Sequence, residues 1–389
     1  MKKTLVLIVA NFDKNALGKD AFLVPYYWGK LHKMDVSIVF PATPNNRDLP
    51  LEYRGVKLCP VKFKTNDKCF SWYGEWYFIY YIIRNAFKID VLMRFHFSFQ
   101  SFLIGSIYKL LNRNGFFYLK GDGYGIISAL IRKKLNVVQR LNNVCIRYAV
   151  NKILSISDLV SVEPSDILYI LKNNKYGIKL NTHLIQLYNG FDEELLESYS
   201  MHIRDFSEKE NLFITVGRLG TYQKNTEYLL SAIEKIEIKD WKFILVGTIE
   251  EKECDFSSYI EEFYKKHPHL IDKVIFTGPI MNKKELWDLY NRSKVFVLTS
   301  RSEGYALVYL EAVRFNNYII TTDVGGGRDS ISLGHGEIIS HDDEVGLSVL
   351  LQTIINGEKN ISHFYKNNND KKYISWEYLV QKLDIKNEK

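Results

Sequence analysis

Cysteine is scarce in this sequence: Cys59, Cys69, Cys145 and Cys254 are the only four in 389 residues. They lack the short paired spacings of a zinc site. They read as reduced thiols of a reducing compartment, not as a disulfide framework. Long apolar runs are missing too. No stretch reaches the roughly 18 apolar residues of a spanning helix. The opening, MKKTLVLIVANFDKN, has the look of a signal peptide. Its apolar run, Leu5–Ala10, is short and no small-residue cleavage pattern follows, so it reads as a first buried strand. Internal repeats are absent, and the only biased tract is the short Asn/Lys-rich stretch Asn360–Lys372.

What is present supports sizeable cores: 46% of residues are hydrophobic, and the length favours two domains. The net charge of +7 is uneven. Residues 1–200 hold 27 Lys+Arg against 16 Asp+Glu, a net +11, and residues 201–389 hold 25 against 29, a net −4. The basic half is also the aromatic half. Such an asymmetry suits nucleic acid, an anionic membrane surface or an anionic substrate.

The chain is organised around residues 295–328. Val295–Leu298 reads as a buried strand, Thr299–Gly304 as a polar turn, Tyr305–Val313 as a helix and Tyr318–Thr321 as a second strand, before Gly325-Gly326-Gly327. This is a βαβ unit, and ligands of open α/β sheets bind beyond the carboxyl ends of the strands. Glu303 and Glu311 bracket the start of that helix, whose free amides suit a phosphate. Upstream, a strand ending at Val216 is followed by Gly217-Arg218-Leu219-Gly220 and then Gln223-Lys224-Asn225 before a helix. Two cations beside a helix start can hold a diphosphate.

The first half opens with a β–loop–α–β pattern whose loop contains Gly18. The pattern places one strand ending at Arg94-Phe95-His96 and another closing on Lys120-Gly121-Asp122-Gly123. Residues 69–87 are crowded with Trp and Tyr, which fits either an interfacial surface or a well-packed helix. Residues 131–152 form an amphipathic helix with a basic polar face that includes Arg132, Lys133, Lys134 and Arg140. That face suits anionic lipid and equally an ordinary solvated helix. The turn Tyr188–Asp192 marks the midpoint, and the strand–helix alternation restarts after it.

On these residues the chain resembles the retaining glycosyltransferases of family 4, GT-B enzymes of the kind used in bacterial surface-polysaccharide assembly. The resemblance rests on Gly217-Arg218…Lys224-Asn225, Phe276-Thr277-Gly278, Ser300–Gly304, Leu310-Glu311-Ala312 and Thr322–Gly326, with Glu303 and Glu311 in a Glu-x7-Glu spacing. The first half matches only loosely, through Gly18, His96 and the Tyr188–Asp192 turn. Two departures stand out: a third glycine, Gly327, and Asn225 where a glycine is common. Asn225 tolerates the left-handed backbone that glycine provides.

The resemblance implies two Rossmann-like α/β domains facing each other across a cleft. They span residues 1–190 for the acceptor and 191–372 for the nucleotide sugar, with residues 373–389 packing back on the first. It implies transfer of a sugar, with anomeric configuration retained, from a UDP- or GDP-sugar to a glycan, lipid-linked in the first reading. A soluble or protein acceptor is the alternative, and a sugar-nucleotide epimerase a remoter one. Arg218 and Lys224 neutralise the diphosphate, Glu303 binds donor-sugar hydroxyls, and His96 reaches the sugar from the first domain; these four are the catalytic set. Glu311 grips the ribose, the amides of Tyr305, Ala306 and Leu307 receive phosphate oxygens, and the segment around Ile280 borders the base. Gly18, Gly217 and Gly304 complete the donor site, and Lys120 and Asp122 are acceptor-side candidates. No Asp-x-Asp pair ends a strand, so no metal is expected. The expected setting is cytoplasmic, peripheral on the inner face of a bacterial membrane through the basic half, without nucleic acid.

Overall fold

The structure is a computed structural model. It describes residues 2–62, 72–121, 137–180, 182–251, 255–362 and 373–383, with the backbone alone for 72–75 and 137–142. The chain divides into two compact units, Met1–Asp192 with Ser375–Lys389, and Glu193–Ile374.

The first unit is built on eight strands: β1 (Thr4–Ile8), β2 (Asp35–Pro41), β3 (Glu52–Tyr53), β4 (Val56–Val61), β5 (Val91–Phe95), β6 (Phe116–Gly121), β7 (Leu159–Val162) and β8 (His183–Gln186). Their order is β3-β4-β2-β1-β5-β6-β7-β8, and every pairing is parallel except β3 with β4. Helices intervene, so both faces of the sheet are covered and its central strands read as unbroken apolar runs. Leu5, Val6, Leu7 and Ile8 of β1 are all buried. After the connection that follows β2, β3 and β4 form a hairpin turned by Arg54 and Gly55 with φ of 48° and 79°.

The segment from Ser375 returns to this unit. Ser375 caps the short helix Trp376–Leu379, and the Trp376 amide donates to the Phe191 carbonyl at 3.0 Å. Trp376, Leu379, Val380 and Leu383 are buried, and Trp28 Nε1 donates to the Leu383 carbonyl at 2.9 Å.

The second unit carries β9 (Glu210–Val216), β10 (Lys242–Val246), β11 (Val274–Gly278), β12 (Ser293–Leu298), β13 (Tyr318–Thr322) and β14 (Gly336–Ile339). They form one parallel sheet ordered β11-β10-β9-β12-β13-β14. Phe213 and Phe243 stack across neighbouring strands with centroids 4.4 Å apart and join Trp241, Leu229 and Leu351 in one core. The two-domain α/β architecture of the GT-B class is therefore present, as two Rossmann-like units.

One buried charge holds the second unit together. Lys209 precedes β9, and its ammonium donates to the carbonyls of Asn291 (3.0 Å), Ser293 (2.8 Å), Phe315 (2.7 Å) and Tyr290 (3.3 Å). Two of these lie in the last turn of the helix Lys283–Arg292 and one caps the helix Leu307–Arg314. A cation at two helix carboxyl ends answers carbonyls that have no intrahelical partner. In Lys209→Met the Tyr290 and Ser293 carbonyls keep Asn317 Nδ2 at 2.9 and 2.6 Å, whereas those of Asn291 and Phe315 lose this donor, at about 1–3 kcal/mol for each such group. The expected outcome is a loss of at least about 2 kcal/mol in urea unfolding of this unit. An unchanged midpoint would show that the carbonyls find other partners.

Candidate active site

Among the parallel strands of each sheet the order reverses at one point. β1 lies between β2 and β5, and β9 lies between β10 and β12. At such a reversal the loops beyond the carboxyl ends diverge and leave a crevice. In the second unit these loops are residues 217–225, after β9, and 299–306, after β12.

The two loops are stitched together. The Arg301 amide donates to the Gln223 carbonyl at 2.8 Å, Gln223 Nε2 to the Ser302 carbonyl at 3.0 Å, and Thr299 Oγ1 to the Asn225 carbonyl at 3.0 Å. Within this frame Lys224 Nζ meets Glu303 Oε1 at 2.6 Å, and Ser300 Oγ donates to the same oxygen at 2.6 Å. Gln223 Nε2 approaches Glu303 Oε2 at 3.3 Å, and the Gln223 side-chain oxygen accepts from Arg218 at 2.9 Å. Arg218, Gln223, Lys224, Ser300 and Glu303 thus form one hydrogen-bonded chain. Glu303 is buried, Lys224 nearly so, and Arg218 exposed.

Backbone geometry makes room for this chain. A Cβ at Gly247 (φ 148°) would lie 1.6 Å from the Gly217 carbonyl oxygen, so only glycine lets the ends of β9 and β10 approach so closely. A Cβ at Gly217 would press on the stem of Lys224 at 3.1 Å. Asn225 adopts the left-handed conformation (φ 50°, ψ 48°), and its side chain donates to Asp342 at 2.9 Å, a bond that glycine could not make.

The helix after β12 starts later than the sequence suggests. It spans Leu307–Arg314 with Ala306 as its cap, while Tyr305 is buried ahead of it. The cause lies in the glycine loop: Gly326 has φ 78°, and a Cβ there would lie 2.8 Å from the Tyr305 ring. Tyr305 is therefore anchored against the backbone of that loop and is kept out of the helix. Gly304 has open space where a side chain would stand.

Glu311 is also buried, but in a separate cluster. Its Oε1 accepts from Trp287 Nε1 at 3.0 Å and pairs with Lys283. Ile280, half-buried, lies in the loop between β11 and the helix that Lys283 opens. Sequence reasoning named Glu311 and Ile280 but missed Lys283 and Trp287. A lysine at a helix start gives no signal until the sheet brings it beside Glu311.

In the first unit, Gly18 ends a short 3-10 turn after β1, is exposed, and has nothing within 4 Å of its would-be Cβ. His96 follows β5, is exposed, and takes φ 64°, with its amide donating to the Lys120 carbonyl at 2.8 Å. Lys120 departs from expectation. It is 1% exposed and paired with Asp20 at 2.9 Å and with Glu163, so it is an internal counter-ion and not a group that meets an acceptor. Burial alone would lower its pKa, but the two carboxylates outweigh that and raise it. Asp122, the other acceptor-side candidate, lies outside the described residues, as do Arg132, Lys133, Lys134, Cys69 and Cys254. Among the described residues no group of three His, Cys, Asp or Glu side chains is placed to hold a metal, and no helix is long and apolar enough to cross a membrane.

Residues 200–371 match the family model of glycosyl transferases group 1. Among curated proteins the chain is 30% identical over 154 residues to the amylovoran biosynthesis glycosyltransferase AmsD of Erwinia amylovora, covering 40% of this chain and 41% of that one. It is 28% identical over 174 residues to the capsular polysaccharide biosynthesis glycosyltransferase CapM of Staphylococcus aureus, covering 42% and 43%. These alignments span about two fifths of each relative. The fold matches over nearly the whole length. The sucrose-phosphate synthase of Thermosynechococcus elongatus superposes with a TM-score of 0.71 at 16% identity, covering 98% of this chain and 97% of that one. HepE of Anabaena, solved with UDP and glucose, does so with a TM-score of 0.67 at 16% identity and 98% of both chains. The second unit thus matches the glycosyl transferases group 1 model, and the fold along nearly the whole chain is GT-B.

The buried triad around Lys120 yields a test. Lys120→Met leaves Asp20 and Glu163 uncompensated and is expected to cost about 3–5 kcal/mol of stability by urea unfolding. A variant of unchanged stability would return Lys120 to the list of ligand-contacting residues.

Proposed function

We propose that this chain is a retaining glycosyltransferase that moves a sugar from a UDP- or GDP-sugar to a hydroxyl of a soluble carbohydrate acceptor. The observation that carries the donor side is the Arg218–Gln223–Glu303–Lys224 chain at the point where the second sheet reverses. An entering diphosphate takes Lys224 and Arg218, and Glu303, released from Lys224 but still held by Ser300, accepts from hydroxyls of the sugar. The first turn of Leu307–Arg314, with the amides of Tyr305 and Ala306 before it, receives phosphate oxygens. Ile280 borders the base and Glu311 accepts from the ribose.

In the reaction the acceptor oxygen bonds to the anomeric carbon as the bond from that carbon to the diphosphate breaks. The electron pair moves onto the diphosphate oxygen, where Arg218 and Lys224 stabilise it, and a phosphate oxygen takes the acceptor's proton on the same face. These two cations stand in for a divalent ion, so transfer proceeds without metal.

Support for a soluble acceptor comes from neighbours that match the fold along nearly the whole chain. They include the sucrose-phosphate synthase and an α,α-trehalose-phosphate synthase from Burkholderia xenovorans solved with glucose-6-phosphate. A second reading, extension of a lipid-linked glycan at the inner face of a bacterial membrane, has its own support. Trp76, Tyr80, Ile83, Phe87 and Tyr148 of the first unit are exposed, with Arg84 over the Tyr80 ring at 4.9 Å and Lys152 over the Tyr148 ring at 5.6 Å. Aromatic rings beside cations suit an anionic headgroup layer. AmsD and CapM are named for surface polysaccharides.

Arg218→Ala is expected to fold normally, Lys224→Ala, which leaves buried Glu303 without its cation, to lose about 3–5 kcal/mol of stability, and each to lower kcat about 10²- to 10³-fold, measured as nucleoside diphosphate release. EDTA is expected to leave wild-type transfer unchanged. Full activity in both variants would overturn the donor site, and loss of activity in EDTA would overturn metal independence. Cosedimentation with phosphatidylglycerol vesicles decides between the acceptors. The soluble reading expects none, and binding that Trp76→Ser with Phe87→Ser abolishes would replace it with the membrane reading.

A further inference from the structure

The Glu311 cluster contains more than a ribose acceptor requires. Both donors to the carboxylate, Lys283 Nζ and Trp287 Nε1, use the same oxygen, Oε1. An ionised carboxylate oxygen accepts about two hydrogen bonds, so Oε1 is saturated. The fully buried Tyr290 also lies close enough for Glu311 to raise its hydroxyl pKa, after the larger effect of burial, and a carboxylate oxygen that accepts one hydrogen bond can accept a second. The carboxylate is thus fixed at Oε1 and keeps acceptor capacity at Oε2. Trp287 is buried and Glu311 nearly so, whereas the Lys283 side chain is 36% exposed. Its Nζ stands 5.6 Å from the centre of the Trp287 ring, which limits where the ammonium can go. An ammonium has three donors, and Glu311 uses one, so two remain at the mouth of the cluster.

We propose that Lys283 is a nucleotide-recognition residue that acts with Glu311 to select a ribose diol. Glu311 Oε2 accepts from one ribose hydroxyl, and Lys283 donates to a hydroxyl oxygen of the same diol. Trp287 is the positioning residue that turns the carboxylate so that Oε2 faces the ligand. This rests on the reading of Glu311 as the ribose-binding acid and extends it to two residues that carry no assigned role. Chemically, the pair favours ribonucleoside over 2′-deoxyribonucleoside diphosphates, because a missing hydroxyl leaves one donor and one acceptor unmatched.

The test uses the full chain and four probes, UDP, GDP, 2′-deoxy-UDP and 2′-deoxy-GDP, titrated by calorimetry. Wild type is expected to bind UDP or GDP at least about tenfold more tightly than the matching deoxy form, as suits hydrogen bonds to charged groups. Lys283→Met is expected to weaken the ribo form about tenfold or more and to bring the ratio to within about twofold, while Lys283→Arg retains the preference. Trp287→Phe is expected to lower the ratio as well. Thermal melts of each variant, which a purely structural ion pair would also move, are read beside the ratio, which such a pair would not move. If wild type binds UDP or GDP and the ribo-to-deoxy ratio is unchanged in Lys283→Met, the inference fails and the donor site stands. If wild type binds none of the four probes, the donor reading itself fails and takes the inference with it.

Discussion

The pairing of Lys224 with Glu303 is the interaction on which the proposed donor site of the second unit depends. Both side chains are largely buried, at 14% and 7% exposure, and neither charge has full access to water. Separating such a pair without replacement costs about 3–5 kcal/mol. A ligand that brings its own negative charge removes that cost, because a phosphate oxygen can take the ammonium while Glu303 keeps its bond from Ser300. In the donor site we propose, the pair satisfies itself without ligand and is exchanged when a diphosphate enters. The loops that present it are fixed by backbone-directed bonds from Gln223 and Thr299 and by the close approach of Gly217 and Gly247, so the exchange need not remake the frame.

Lys120 shows what the same ingredients do when they are locked. It also stands at the carboxyl end of a strand, opposite carboxylates, yet it is 1% exposed and divided between two acids. With a second counter-ion in place and no path to solvent, the ammonium has nothing to exchange. One buried lysine is thus held by two acids, and the other, partly open and paired with a single acid, is the one that the proposed donor site uses. Position at a strand end does not separate these roles. Burial and the number of partners do.

Much of the architecture was legible in the sequence because the sheets are parallel and covered on both faces, which writes strands as apolar runs such as Leu5–Ile8 and Val295–Leu298. The β3–β4 hairpin escaped because β3 has two residues and its turn uses Arg54, a poor emblem of a left-handed backbone. β14 escaped because its four residues are mostly half-buried, without an apolar run to mark them. In the site, Arg218, Lys224 and Glu303 stood out because glycines and fixed spacings surround them. Lys283 did not. It lies 28 residues from Glu311, and the two meet only through the sheet order. Lys120 misled for the same reason, since its partners Asp20 and Glu163 lie 100 and 43 residues away.

The central claim, that the charge pair in the second unit opens to admit a diphosphate, is most directly tested by a crystal structure of the chain with UDP-glucose or GDP-mannose bound. The account predicts that Lys224 Nζ lies within hydrogen-bond distance of a phosphate oxygen, that it has left Glu303 Oε1, and that Glu303 accepts from a sugar hydroxyl. A nucleotide sugar seated elsewhere, with the 2.6 Å contact between Lys224 and Glu303 intact, would contradict it.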